Sequence, residues 1–150
     1  MPDSNRHLNP PRVDIDLSWM VGCVIAEVAF LEPETWRFLI GTNVWIAAEC
    51  PWRIVRDGRI ALSSVDHGQI FGLPAPIDAA AAATSLFASG SISAAHLREG
   101  TADLLIDFEG NLRLEIIPLS SGYESFEWAD PSGDCFFVQG GGNIVRFPKP

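Results

Sequence analysis

Slid against itself by about 68 positions, the chain lays one β pattern over a second. Gly22 then falls on Gly90 and Val24 on Ile92, while Trp36, Phe38 and Ile40 fall on Leu104, Ile106 and Phe108. Asn43 meets Asn111, and Val44, Ile46 and Ala48 meet Leu112, Leu114 and Ile116. Few of these pairs are identities. What repeats is the period of two, apolar on apolar, on both sides of a shared turn residue. That period belongs to strands with one buried and one solvated face, which is the habit of antiparallel sheets.

The turn residues agree. Asp57-Gly58 separates Trp52–Arg56 from Arg59–Leu62, and both central residues of such a two-residue turn need positive φ. Gly41-Thr42-Asn43 and Glu109-Gly110-Asn111 fit the two corresponding hairpin loops. The second loop sets Phe108 opposite Leu112, Ile106 opposite Leu114 and Leu104 opposite Ile116, with Asp107 across from Arg113 on the other face. Further strands are expected at Tyr123–Trp128, Cys135–Gln139 and, after the turn Gly140-Gly141-Gly142, Asn143–Phe147. The apolar run from Trp19 to Phe30 reads as a strand buried on both faces and bent near Gly22.

One helix is expected, at about residues 77–88. Pro76 can open it, Asp78 suits the positive end of its dipole, five alanines follow, and Gly90 is placed to stop it. The fold class is therefore α+β and mainly antiparallel β: two pseudo-repeated β-meander units joined by one α-helix packed on the sheet. Residues 1–12 read as a flexible arm and 13–150 as one globular domain. Within it, repeat one spans about 17–62 and repeat two about 91–147.

Charge separates the copies. Of a net charge of −9, nearly all comes from Glu99–Asp134, where nine acids stand against Arg113 alone. In Arg37–Arg59, four arginines stand against Glu49 and Asp57. So acidic a chain lacks the basic face that displaces counterions from phosphates, so nucleic acid is not expected as a partner. Trp19–Leu31, the longest apolar run, is interrupted by Glu27 and too short for a bilayer; no membrane partner is expected. The N-terminus has no charged-then-apolar order, and three scattered cysteines, Cys23, Cys50 and Cys135, suit buried thiols in a reducing cytoplasm.

Catalytic patterns are thin. His7 lies in the arm and His96 in a strand, leaving Asp66-His67 as the one adjacent acid–imidazole pair, in a loop where neighbours point apart. There is no Gly-x-Ser-x-Gly, Lys149 is the sole lysine, and the Gly140–Gly142 run lacks dinucleotide spacing. Asp103 and Asp107 share the outer face of one strand with Glu115 on its neighbour, which could form a carboxylate pair or cation site but also describes any solvated strand face. No cofactor or metal is expected.

Ala102–Phe147 resembles an uncharacterised bacterial family of short proteins over about a third of the chain. The residues concerned are Leu104-Leu105-Ile106-Asp107-Phe108, Gly110, Leu112-Arg113-Leu114-Glu115-Ile116, Tyr123-Glu124-Ser125-Phe126, Gly133 and Gly140-Gly141-Gly142. Phe126 stands where that family prefers Trp. The resemblance implies an accessory or immunity-type protein of a bacterial toxin system and supplies no catalytic residues.

The expectation from the sequence is a non-catalytic protein-binding protein of the cytoplasm, an immunity-type inhibitor in its narrowest form. A basic protein would sit on Asp103, Asp107, Glu115, Tyr123, Glu124 and Glu127. The alternative is a small-ligand or enzymatic domain with its pocket between the repeats and Asp66, His67, Asp103 or Asp107 at the rim. A third expectation is a homo-oligomer formed through the C-terminal strand.

Overall fold

A computed structural model describes residues 14–150; the arm expected at 1–12 lies outside the described residues. Repeat one supplies β1 (Ile25–Leu31), β2 (Thr35–Ile40), β3 (Val44–Ala48), β4 (Trp52–Arg56) and β5 (Arg59–Ser63). After the helix α1 (Ala79–Phe87) come β6 (Ile92–Leu97), β7 (Leu104–Phe108), β8 (Leu112–Ile116), β9 (Phe126–Ala129), β10 (Cys135–Val138) and β11 (Ile144–Phe147). The fold is α+β, with one helix and mainly antiparallel strands in two sheets.

The two copies exchange strands. One sheet has the order β1-β2-β3-β9-β10-β11 and the other β5-β4-β8-β7-β6. The meander β1-β2-β3 is thus continued by strands of the second copy, through Ala47↔Glu127 and its neighbours. The meander β6-β7-β8 is continued by strands of the first, through Arg53↔Glu115. The positions that matched in sequence are the ones that point inward: Trp36, Phe38, Ile40, Val44, Ile46 and Ala48 are buried, and so are all six counterparts from Leu104 to Ile116. Inward faces of both sheets join in one apolar cluster, where Trp52 of β4 meets Trp36 and Phe38 of β2 edge-on at 5.0 and 5.6 Å.

Local chemistry explains most element ends. Asp57 and Gly58 take φ of 50° and 77°, as a tight β4–β5 turn requires. The register Phe108↔Leu112, Ile106↔Leu114, Leu104↔Ile116 and Asp107↔Arg113 is the one the loop predicts. Asp78 caps α1 by accepting from the Ala81 N–H at 3.1 Å, so the helix begins at Ala79 rather than Ile77. Its Ala79, Ala83 and Phe87 are buried, Phe87 stacks on Phe108 at 4.9 Å, and the Thr84 hydroxyl accepts from the Val28 N–H of β1.

Three sequence expectations are corrected. Gly90 is not the helix stop, since Ala88 closes the last turn on Ser85. It instead gives room to the Glu109 carbonyl, which would lie 3.1 Å from a Cβ there. The run from Trp19 to Phe30 is not one strand: Ser18–Met20 is a single 3-10 turn, Gly22 takes φ 86°, and β1 then starts at Ile25, its register shifted between Ile25 and Glu27, with only Ile25 and Val28 buried. Tyr123 is not in a strand either. The Ser120 hydroxyl accepts from the Gly122 and Tyr123 N–H groups at 3.0 and 2.8 Å, which holds the chain in a turn until Phe126.

Candidate functional site

The strand exchange decides which carboxylates remain unpaired. On the outer face of the β5-β4-β8-β7-β6 sheet, Arg53 of β4 donates to Glu115 of β8 at 2.5 Å. Arg113 of β8 holds Asp107 of β7 with two N–H groups, at 2.6 and 3.1 Å. These are cross-strand neighbours of opposite sign, the arrangement that stabilises an exposed sheet face. Asp103 flanks β7, half-buried, and its backbone carbonyl accepts from the Arg98 N–H. Of the six residues singled out in the sequence, Asp107 and Glu115 therefore already have cations, one of them brought from the other copy.

Glu124 and Glu127 lie elsewhere. Glu127 is on β9, in the other sheet, and shares a small hollow of about 60 Å³ with Glu49 and Glu124. Its carboxyl is pushed above the usual range, by burial first, then by the charges of Glu124 and Glu49, with Arg37 opposing. Ion pairs among the described residues join Arg53 to Glu115, Arg113 to Asp107 and Arg146 to Asp134; none takes Glu49, Glu124 or Glu127. Beside the hollow, the loop before β9 presents Tyr123 at 83% exposure and Leu119 at 74%. Glu49 escaped the sequence reading, because it belongs to the mildly basic copy and joins this group only through the β3–β9 pairing. The Glu49 N–H also donates to the Ser125 carbonyl at 2.9 Å, which fixes one edge of the hollow to the other.

A larger groove, about 390 Å³, opens on the first copy and reaches Glu49 from the other side. Phe30, Trp36 and His67 form its aromatic wall, with Phe30–His67 centroids at 4.8 Å and Trp36–His67 at 5.3 Å. His67 accepts the Ala79 N–H on Nδ1 at 3.1 Å, so the proton of its neutral ring is on Nε2. Asp66 does not act on His67. Its carboxylate turns back to accept from the Ser63 N–H at 2.9 Å. Glu34 lies at the rim, and Cys50, whose thiol burial pushes up to about 12, lies beneath. Asp103 and Asp107 are not among the groove's lining residues, which all fall between Phe30 and His67.

Among the described residues no group of three or more His, Cys, Asp or Glu is arranged to hold a metal ion, and no helix is long and apolar enough to cross a membrane. No family model, no curated protein and no solved structure matches this chain.

Proposed function

We propose that this chain is a non-catalytic cytoplasmic protein-binding protein that holds a basic partner at the end of the first sheet. Tyr123 supplies the exposed aromatic anchor, and Glu49 and Glu124, with Glu127 behind them, supply the charge. The observation that carries the reading is the gathering of three carboxylates around one hollow, none of them in an ion pair among the described residues and with Arg37 acting on Glu127 only at a distance, while Asp107 and Glu115 are each paired. Unpaired like charges beside an exposed aromatic ring attract and orient an oppositely charged surface. An immunity-type inhibitor of a basic toxin domain is the narrower form of the same reading.

The test is capture from the source organism's lysate with the wild-type chain and with Glu49→Lys/Glu124→Lys, at low and at high salt. A basic protein retained by the wild type at low salt, and lost both at high salt and with the double variant, is the expected result. Retention indifferent to the two substitutions refutes it.

The groove supports a second reading, small-molecule binding. Its volume and its aromatic wall with two carboxylates at the rim match a site for a cationic or amphiphilic ligand. A ligand of that class should raise the melting temperature of the wild type and not of His67→Ala.

A further inference from the structure

The outer faces of the two sheets differ in kind. The β5-β4-β8-β7-β6 sheet carries the two cross-strand ion pairs described above. The outer face of the β1-β2-β3-β9-β10-β11 sheet carries Leu39, Trp45, Phe137, Val145 and Phe147 instead. Phe137 and Phe147 meet edge-on at 5.4 Å on this face, and Phe147 is 55% exposed. An antiparallel sheet with one solvated face alternates apolar-in and polar-out, so a largely apolar outer face points to something that covers it.

The register says what fits. One row across the sheet reads Ala29, Arg37, Ala47, Glu127, Phe137, Val145. Arg37 and Glu127 stand on the two strands flanking β3, with Ala47 between them. A two-fold axis lying in the face and running along β3 exchanges β2 with β9 and β1 with β10. It therefore lays Arg37 of one copy on Glu127 of the other, twice, and Ala29 on Phe137, twice. Opposite charges meet opposite charges, and a small side chain meets a large one. We propose that this face is an isologous interface between two copies of the chain, packed as aligned sheets.

Two further features agree. Among the described residues no ion pair takes Arg37; its guanidinium lies over the Trp45 ring at 4.9 Å, which keeps it on this face. Glu127 stands half-buried with Glu124 and Glu49 as its acidic neighbours, an environment that a facing arginine relieves. The five overlapping strands span roughly 24 by 17 Å at ordinary strand spacings, so each copy contributes about 400 Å², half of the usual 800 Å² or so, and a weak dimer that dissociates at tens of micromolar is expected.

Sedimentation equilibrium of the purified chain from about 5 to 500 µM tests this. Dimerisation in that range is expected. Arg37→Glu and Glu127→Arg, each alone, should weaken it about a hundredfold, since each creates two like-charge contacts. An equimolar mixture of the two variants should dimerise again, because in the mixed pair one contact is native and the other reversed. That mixture also separates loss of the interface from loss of the fold. A chain monomeric at about 500 µM overturns the proposal. So does a dimer unaffected by either variant, which is the result that pairing of the edge strand β11 with a second copy would give. Arg37→Glu leaves all three carboxylates of the hollow in place, so loss of the dimer in that variant with partner capture intact separates this proposal from the proposed function.

Discussion

The three consecutive glycines 140–142 allow steric and conformational effects to be separated in one turn. At Gly141 the backbone takes φ 78°, and the nearest atom to an added Cβ is the Ser121 carbonyl oxygen at 4.0 Å. Gly141→Ala therefore imposes left-handed strain alone, about 1–2 kcal/mol, offset by about 0.4–1 kcal/mol of lost freedom in the unfolded chain. At Gly140 no positive φ is involved. Its added Cβ would lie 2.6 Å from Gly122 Cα and C and from the Ser121 oxygen, all of them backbone. Overpacking of that kind costs about 1–3 kcal/mol. Gly142 combines both, with φ 87° and a Cβ that overlaps the Gly100 carbonyl oxygen and lies 2.8 Å from Thr101 C. After the unfolded-state offset the expected losses are about 1, 1–2 and 2–4 kcal/mol for positions 141, 140 and 142. At about 2–4 °C per kcal/mol for a chain of this length, they appear as graded falls in melting temperature. Urea titration gives the same ranking independently. Gly140→Ala should in addition lower partner affinity, because the loop it displaces carries Tyr123, whereas Gly142→Ala presses on the turn before β7. Finding Gly141→Ala the most damaging of the three would refute the reasoning.

Further expectations follow from the buried polar contacts. His67→Ala removes the acceptor of the Ala79 N–H and two ring contacts, and should lower stability by about 1–3 kcal/mol in a thermal melt. Cys50, buried and with its thiol raised to about 12, should resist alkylation at pH 8 in the native chain and react only on unfolding, as read by mass spectrometry. The Lys149 N–H and the Arg146 guanidinium hold the Asp134 carboxyl below its usual range. Its folded value is thus the depressed one. The stability it contributes is present above the unfolded carboxylate range and is lost as pH falls through the folded value. Asp134→Asn should be less stable than wild type at neutral pH and show a flatter acid limb in melts taken from neutral to acidic pH.

The sequence made local features legible and non-local ones opaque. Asp57-Gly58 announces its hairpin because few residue pairs accept φ of 50° and 77°, and Asn111 at φ 59° does the same for β7–β8. Asp78 announces the start of α1 by its own hydrogen bond. Each of these signals acts within four residues. The choice of β9 as the partner of β3, and of β4 as the partner of β8, joins segments far apart in the chain, and no turn residue encodes it. The Pro118–Glu124 stretch shows the intermediate case. Its turn rests on one hydroxyl, Ser120, within reach of two N–H groups, a contact that competes directly with the strand expected from Tyr123 onward.

That non-local choice also changes what the acidic run means. Counted along the chain, Glu99–Asp134 is the negative half and Arg37–Arg59 the mildly positive half. Were each copy a sheet of its own, the two charge populations would face solvent separately. The exchange instead sets Arg53 of the first copy on Glu115 of the second, and sends Glu127 of the second beside Ala47 of the first, within reach of Glu49. A charge segregated in sequence is thereby neutralised on one sheet and concentrated at one corner of the other. Substitution of Glu49 and Glu124 is consequently the sharper probe of binding. Reversal of Asp107 or Glu115 would break an ion pair inside the fold and report on stability as well.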